Sequence, residues 1–169
     1  MTRLVRELGR TPVHLGPGGH AEVLPAYTGG TDWYAAYARR TEADGADGRL
    51  VALHGLDADW DTWEMHPNGD EVVVCLAGEL TLIRESAEGS HIREDLCAGG
   101  YVIIPAGVGH TADVAGLATA LFITSGHGTQ HRPVPDPPLF LRLCERVCQT
   151  ETIGDKRQAD WQTCATRGL

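Results

Sequence analysis

The feature that most constrains the fold is a series of short β-like segments, separated by glycine-containing turns, between residues 49 and 124. Apolar residues run through or alternate along these segments as they do in short strands. No helical segment alternates with the strands, so the pattern favours antiparallel sheets in a sandwich or barrel over a parallel α/β fold. The candidate strands cover residues 50–54, 60–66, 71–76, 80–84, 92–96, 101–104, 111–114 and 118–124.

The sequence on either side of this series predicts two accessory regions. Residues 1–48 are interpreted as an N-terminal arm with short strands and with helical turns at 33–40, which would begin at a Thr31–Asp32 cap. The predicted β-barrel core covers residues 49–125. Residues 126–169 read as a proline-containing connector, a short amphipathic helix at 138–150 and a tail packed on the barrel.

The charge balance excludes two classes of partner. The chain carries 14 Lys and Arg against 23 Asp and Glu, and its net charge is −9 with the histidines neutral. Nucleic acids and anionic membranes recruit basic surfaces, so we expect neither as a partner. The N-terminal residues lack the apolar run of a signal peptide, and the five cysteines are odd in number. We therefore expect free thiols and a cytoplasmic location.

Four side chains are predicted to meet at one mouth of the barrel. Glu64 and His66 are two residues apart, so on a strand they share a face. Glu71 has the wrong parity for the same strand, but the Pro-Asn-Gly-Asp turn at 67–70 lets it return to that face on the neighbouring strand. His110 follows a second turn, which contains one proline and two glycines and would deliver it to the same place.

This residue set is typical of a site for a divalent transition metal. Two imidazoles and a carboxylate form a ligand set that leaves coordination positions open for Lewis-acid or oxygen chemistry. Glu64 would add a second carboxylate, which favours zinc, iron or manganese over copper, and nickel is a further candidate. The alternative is a metal-free polar cavity. His54 is a candidate catalytic acid–base, although a half-exposed strand histidine is the alternative for it.

Two spaced sets of residues resemble the two motifs of the cupin family. In the first, four residues separate His66 from Glu71 and six more precede Gly78. The second set has the family spacing at Gly99, Pro105, Gly107 and His110. The resemblance covers residues 50–125. Two positions depart from it, because Glu64 stands where the first motif has a histidine and Val114 stands where the second has an asparagine.

The resemblance to cupins implies a fold and a range of functions. It implies a small, single-domain, jelly-roll β-barrel, with a divalent metal in many members of the family and none in others, and a homodimer joined through N-terminal strands. Small cupins include dioxygenases, isomerases and lyases that act on small molecules, as well as non-catalytic sugar- or metabolite-binding domains. We therefore expect a small-molecule-binding protein, either a metal-dependent enzyme or a binding or sensing module without metal.

Overall fold

The computed structural model describes residues 5–135 of the 169-residue chain. Residues 5–133 of the described range belong to one compact unit. The amphipathic helix and tail expected at 138–169 lie outside the described residues. Within those residues the strands are β1 Val13–Leu15, β2 Ala21–Val23, β3 Arg49–Leu56, β4 Thr62–Met65, β5 Glu71–Ala77, β6 Glu79–Glu85, β7 His91–Cys97, β8 Tyr101–Ile104, β9 His110–Val114, β10 Ala118–Thr124 and β11 Gln130–Pro133.

The strands form two antiparallel sheets. One has the order β2-β1-β3-β10-β5-β8 and the other the order β11-β4-β9-β6-β7. Within them, the eight strands β3 to β10 form the two four-stranded sheets β3-β10-β5-β8 and β4-β9-β6-β7, which is the jelly-roll arrangement. The prediction of an all-β jelly-roll barrel is confirmed by this strand order, and each of the eight candidate strands corresponds to an observed one.

The barrel core follows from alternation along its strands. On β5, Glu71, Val73 and Cys75 point inward, and each is at most 2% exposed. They face apolar residues of the opposite sheet such as Leu82 and Ala112, which are fully buried. A sheet that buries one face in this way fixes its register, because a slip of one residue would turn the apolar set outward.

The cysteines only partly match the expectation of free thiols. Cys75 is a buried free thiol in the barrel core. Cys97, at the end of β7, is disulfide-bonded, so the expectation is wrong for this residue.

The N-terminal arm extends one sheet and covers part of its inner surface. Strand β1 pairs with both β2 and β3, so the arm adds two strands to the edge of the barrel sheet. Helix α1, Gly30–Arg40, buries Trp33 and Tyr37 against β3 residues that include Leu50. This packing places aromatic side chains of the arm beside the barrel interior.

Helix α1 begins earlier than the sequence predicted. Its first residue is Gly30 and its N-cap is Gly29, which has a φ of 75° and makes no side-chain cap hydrogen bond. Thr31 is therefore inside the helix rather than at its cap. Asp32 lies in the first helical turn, where a negative charge is favourable.

Strand β11 was not predicted. It lies where the sequence indicated a connector, and it pairs antiparallel with β4 at the edge of the five-stranded sheet. All four of its residues are exposed, and it ends in a proline. An edge strand tolerates both properties, because only one of its sides has to pair. No helix within residues 5–135 is long and apolar enough to cross a membrane.

Candidate metal centre

The turn at residues 67–70 carries the chain from one sheet to the other. Strand β4 belongs to the five-stranded sheet and β5 to the six-stranded sheet, so the expectation that Glu71 returns on a strand neighbouring β4 is wrong. His66 and Glu71 meet because both point into the space between the sheets. His110, by contrast, does come from a neighbouring strand, since it pairs directly with Glu64 on β4.

The turn at residues 67–70 and the turn at residues 105–109 are joined by hydrogen bonds. The backbone N–H of Gly107 donates to the carbonyl oxygen of His66 at 2.9 Å, and the N–H of Ala106 donates to Oδ1 of Asp70 at 2.9 Å. Gly107 has a φ of 79°, which favours glycine. Asp70 is thus a turn residue, as expected. These bonds hold the segment that ends at His66 against the segment that leads into His110.

Three buried side-chain atoms converge between the sheets. Glu71 Oε2 lies 2.9 Å from His110 Nε2 and 3.5 Å from His66 Nε2. None of these three atoms has a hydrogen bond of acceptable geometry within residues 5–135. Glu64 Oε2 is 4.0 Å from His66 Nε2. One ligand atom each from Glu64, His66 and His110 lies within 4.8 Å of the others, as a metal site requires.

In each imidazole, the Nδ1 atom, which faces away from Glu71, has a contact outside the candidate centre. His66 Nδ1 is hydrogen-bonded to Thr129 Oγ1 at 3.0 Å, and His110 Nδ1 lies 3.5 Å from the carbonyl oxygen of Val108. A proton on Nδ1 leaves the Nε2 lone pair directed at the shared centre. Metal-binding histidines generally have an outer partner of this kind, which fixes the ring and its tautomer.

The carboxylates are in two different electrostatic states. Burial raises the pKa of Glu71, but its contacts with His110 and His66 outweigh burial and bring the pKa to about 2. Its second oxygen accepts a 2.6 Å hydrogen bond from Thr124 Oγ1. For Glu64, burial and then the Glu71 charge raise the pKa. Burial lowers the pKa of His110, but the nearby Glu71 carboxylate outweighs it, so the net shift is upward.

The separations of these atoms suit ligands of one ion. Metal–nitrogen and metal–oxygen bonds of about 2.1 Å place neighbouring ligand atoms about 3.0 Å apart at 90° and about 3.4 Å apart at the tetrahedral angle. The separations of 2.9 and 3.5 Å from Glu71 to the two imidazoles match these values. Glu64 Oε2 lies 4.0 Å from His66 Nε2, within reach of an ion that the other side chains would hold. The residues present therefore fit a divalent metal.

The sequence did not predict that residues of β11 and of the turn before it contact the candidate ligands. His131 Nε2 lies 3.2 Å from Glu64 Oε1, and Thr129 contacts His66. Their segment is short, polar and interrupted by proline, so it gives no strand pattern. The repeated glycines and histidines at 126–131 are the one signal that could have drawn attention to it.

His54 lines the same cavity as the candidate ligands. It is on β3, and its ring lies 5.1 Å from that of Tyr27 and 5.6 Å from that of Phe122. Burial lowers its pKa, which favours the neutral imidazole. Within the described part of the chain it has ring contacts but no hydrogen bond.

The candidate centre opens into one cavity of about 440 Å³. Helix α1 and the segment before it contribute phenol rings, and the barrel strands contribute the remaining wall. This volume is in the range of sites for small organic ligands. The residues around it include Tyr27, Tyr34, Tyr37, His54, Trp60, Glu64, His66, Glu71, Phe122, Thr124, Thr129 and His131.

Comparison with known proteins gives structural neighbours but no sequence relatives. No family model and no curated protein matches the sequence. A cupin-2 domain protein from Shewanella frigidimarina is 21% identical, with a TM-score of 0.36 over 51% of this chain and 71% of its own. An oxalate oxidase is 19% identical, with a TM-score of 0.43 over 61% and 57%. Hydroxypropylphosphonic acid epoxidase from S. wedmorenis is 17% identical, with a TM-score of 0.40 over 45% and 43%.

Those similarities are too weak to carry an argument about activity, because each TM-score is below 0.5. The fold assignment rests on the strand order and on the two motif segments.

Proposed function

We propose that this protein is a cupin that binds a small organic molecule beside a divalent transition metal. His66, Glu71 and His110 would hold the metal, and Glu64 would be the fourth ligand. Zinc, iron, manganese and nickel are the candidate ions. The family resemblance and the shared cavity support a role in metal-dependent chemistry, of the oxygenase, isomerase or lyase kind, on a small metabolite.

The observation that carries this proposal is the convergence of three buried atoms without hydrogen-bond partners. A buried polar atom left unpaired costs about 1–3 kcal/mol. Here the Glu71 carboxylate oxygen lies at ion-pair distances of 2.9 and 3.5 Å from two imidazole nitrogens, yet within residues 5–135 none of the three atoms makes a hydrogen bond of acceptable geometry. A metal ion would satisfy all three at once, because each is a lone-pair donor of a type that first-row metals bind.

The chain's own residues would prepare the site for binding and for proton handling. Thr129 orients His66, and Thr124 holds Glu71 so that its free oxygen faces the imidazoles. A bound metal would supply Lewis acidity and an open position for a ligand oxygen. His54, as a neutral imidazole in the cavity wall, is the residue we propose to accept a proton from the bound molecule.

A non-catalytic binding or sensing module is the second candidate. It is favoured by the surroundings of His54, which in the described chain are aromatic rings rather than a polar group that would orient it. General acid–base residues are usually positioned by a hydrogen bond. The predicted homodimer and the predicted cytoplasmic location stay predictions.

The metal proposal is tested by elemental analysis of the purified protein after incubation with zinc, iron, manganese and nickel salts. We expect about one ion per chain in the wild type and a loss of most of it in His66→Ala and in His110→Ala. The matched control is His20→Ala, which removes an exposed histidine and should keep the full content. Equal metal in all four proteins, or substoichiometric metal in the wild type, would reject the site.

The choice between enzyme and binding module needs a second measurement. The metal-loaded wild type and His54→Phe are incubated with a panel of small metabolites, and both consumption and binding are followed. An enzyme should consume at least one compound, and His54→Phe should slow that reaction about 10²-fold or more while the compound still binds. Binding without consumption in the wild type would favour the module.

A further inference from the structure

Aromatic rings form a continuous part of the cavity wall. Ring centroids lie 5.1 Å apart for Tyr27 and His54, 5.6 Å for His54 and Phe122, 5.9 Å for Phe122 and Trp60, and 6.1 Å for Trp60 and His110. The rings thus form a continuous path from the arm to the candidate metal centre. Aromatic walls at this spacing suit a flat apolar ligand, which gains contact area and favourable ring-edge geometry.

The charges facing the cavity are unfavourable for an anion. No Lys or Arg is among the described residues that line the cavity, whereas both Glu64 and Glu71 line it. Sites for carboxylates and phosphates usually present Arg or Lys to them. With both carboxylates ionised, a divalent ion at this centre would be neutralised rather than left with an excess positive charge. Glu64, the departure from the cupin motif, supplies the second of these charges.

The remaining groups on the wall also favour an uncharged partner. The Tyr34 hydroxyl lies 3.3 Å from that of Tyr27. Burial, then this contact, and then the charges of Glu64 and Glu71 raise the pKa of Tyr34, so its phenol stays protonated. The histidines that line the cavity face carboxylates or rings: His66 contacts Glu71, His131 contacts Glu64, and His54 is neutral between its aromatic neighbours.

We propose that the ligand of this cavity is an uncharged aromatic molecule with a hydroxyl group, and that the site rejects ring-sized carboxylates and phosphonates. The ring would lie among Tyr27, His54, Trp60 and Phe122, with its hydroxyl directed at the polar end that holds Glu64 and His66. This inference rests on the proposed function for the identity of the polar end. It adds the charge and the shape of the ligand.

The experiment compares two probes of nearly equal size, benzyl alcohol and benzoate, at pH 7.5. Binding is followed by ligand-observed NMR and by tryptophan fluorescence, in the zinc-loaded and in the metal-free protein. Zinc is used because it has no redox chemistry. We expect benzyl alcohol to bind about tenfold or more tightly than benzoate in the metal-free protein, since a carboxylate would be desolvated beside two like charges. In the zinc-loaded protein those charges are neutralised, and a smaller preference for benzyl alcohol should remain because no Lys or Arg is among the described lining residues. Benzoate binding as tightly as benzyl alcohol, or no binding of either, would overturn the proposal.

A charge variant tests the cause of the preference. In metal-free Glu64→Gln, benzoate affinity should rise about fivefold while benzyl alcohol changes less than about twofold, because the variant removes one repelling charge and keeps the side-chain shape. Glu88→Gln, on an exposed hairpin turn, is the matched control and should leave both affinities unchanged. An unchanged ratio in Glu64→Gln would refute the electrostatic explanation.

The outcomes separate this inference from the metal proposal. If the metal proposal is wrong, elemental analysis will find substoichiometric metal. The ratio of the benzyl alcohol and benzoate affinities can still be measured in the metal-free protein. Conversely, a protein that binds the metal but prefers benzoate would support the metal centre and contradict the inferred ligand class.

Discussion

Two groups of buried side chains around histidine differ in how their polar atoms are satisfied. In the arm cluster, defined as His14, Tyr37 and Asp44, both ring nitrogens of His14 have a partner: Nδ1 lies 3.0 Å from the Tyr37 hydroxyl and Nε2 lies 2.8 Å from Asp44 Oδ2. In the candidate metal centre, the Nε2 atoms of His66 and His110 have no hydrogen-bond partner within the described chain. Burial is similar, since His14 is 1% exposed and His110 is fully buried.

This difference indicates that the arm cluster stabilises the fold and that the candidate metal centre is arranged to bind a ligand. Satisfied buried polar groups stabilise and specify a structure, whereas unsatisfied ones cost free energy unless something completes them. The arm cluster joins β1, α1 and the short 3-10 helix Glu42–Asp47 that follows α1, so it fastens the arm. The metal centre connects the two barrel sheets and leaves donor atoms aimed at one point.

The largest expected contrast is in metal affinity. His110→Ala should weaken metal binding by more than about 100-fold, since even the outer partners of metal ligands are worth about 10- to 100-fold. His14→Ala, measured on the folded protein, should bind metal like the wild type. Competition with a chelating dye gives both affinities. Equal losses in the two variants would show that the clusters do not differ in the proposed way.

The next contrast is in stability. His14→Ala should lower the free energy of unfolding of the metal-free protein by about 2–4 kcal/mol, because it leaves a cavity and removes the partner of a buried tyrosine hydroxyl. Urea denaturation measures this. The exposed control His20→Ala should stay within about 0.5 kcal/mol of the wild type. A loss below about 1 kcal/mol in His14→Ala would mean that the arm cluster does not fasten the arm.

A smaller effect is expected for the outer partner of His66. Thr129→Val keeps the shape of the side chain but removes the hydroxyl that contacts Nδ1. Metal affinity should fall about 10- to 100-fold, and the free energy of unfolding of the metal-free protein should fall by about 0.5–1.5 kcal/mol because His66 Nδ1 loses its partner. The dye competition and the urea titration report the two quantities separately. Unchanged metal affinity would show that Thr129 does not contribute to metal binding.

The smallest effect concerns the packing around His14. A Cβ at Gly48 would lie 2.8 Å from Cε1 of His14, so Gly48→Ala should cost about 1–2 kcal/mol. Gly55 provides the control, because nothing lies within 4 Å of a Cβ built there. Gly55→Ala should be neutral or slightly stabilising in the same thermal unfolding assay. Equal values for the two would indicate that His14 moves freely.

The sequence predicts the barrel well because its signals there are local. Alternation on β5 orients Glu71, Val73 and Cys75 correctly, and the turn at 67–70 is recognisable from its residues alone. The candidate ligands Glu64, His66, Glu71 and His110 follow from the same local features and are brought together in the structure. That they bind metal, and that His54 is catalytic, stay predictions.

What could not be predicted depends on contacts between distant segments. His14 meets Tyr37 and Asp44, which are 23 and 30 residues away, and no local pattern links them. The crossing of the 67–70 turn between sheets is decided by the whole jelly-roll topology, so a reading based on neighbouring strands placed Glu71 on the wrong sheet. The sequence around His131 favours a surface loop, because an exposed edge strand carries no apolar alternation.

The central claim is tested most directly by diffraction from crystals soaked in manganese or zinc, with data collected on both sides of the metal's absorption edge. The account predicts one strong anomalous peak about 2.0–2.3 Å from His66 Nε2, His110 Nε2 and Glu71 Oε2. It also predicts no peak at this position in His110→Ala crystals. A wild-type map without a peak between the two imidazoles, or with the ion bound only at exposed carboxylates, would contradict it.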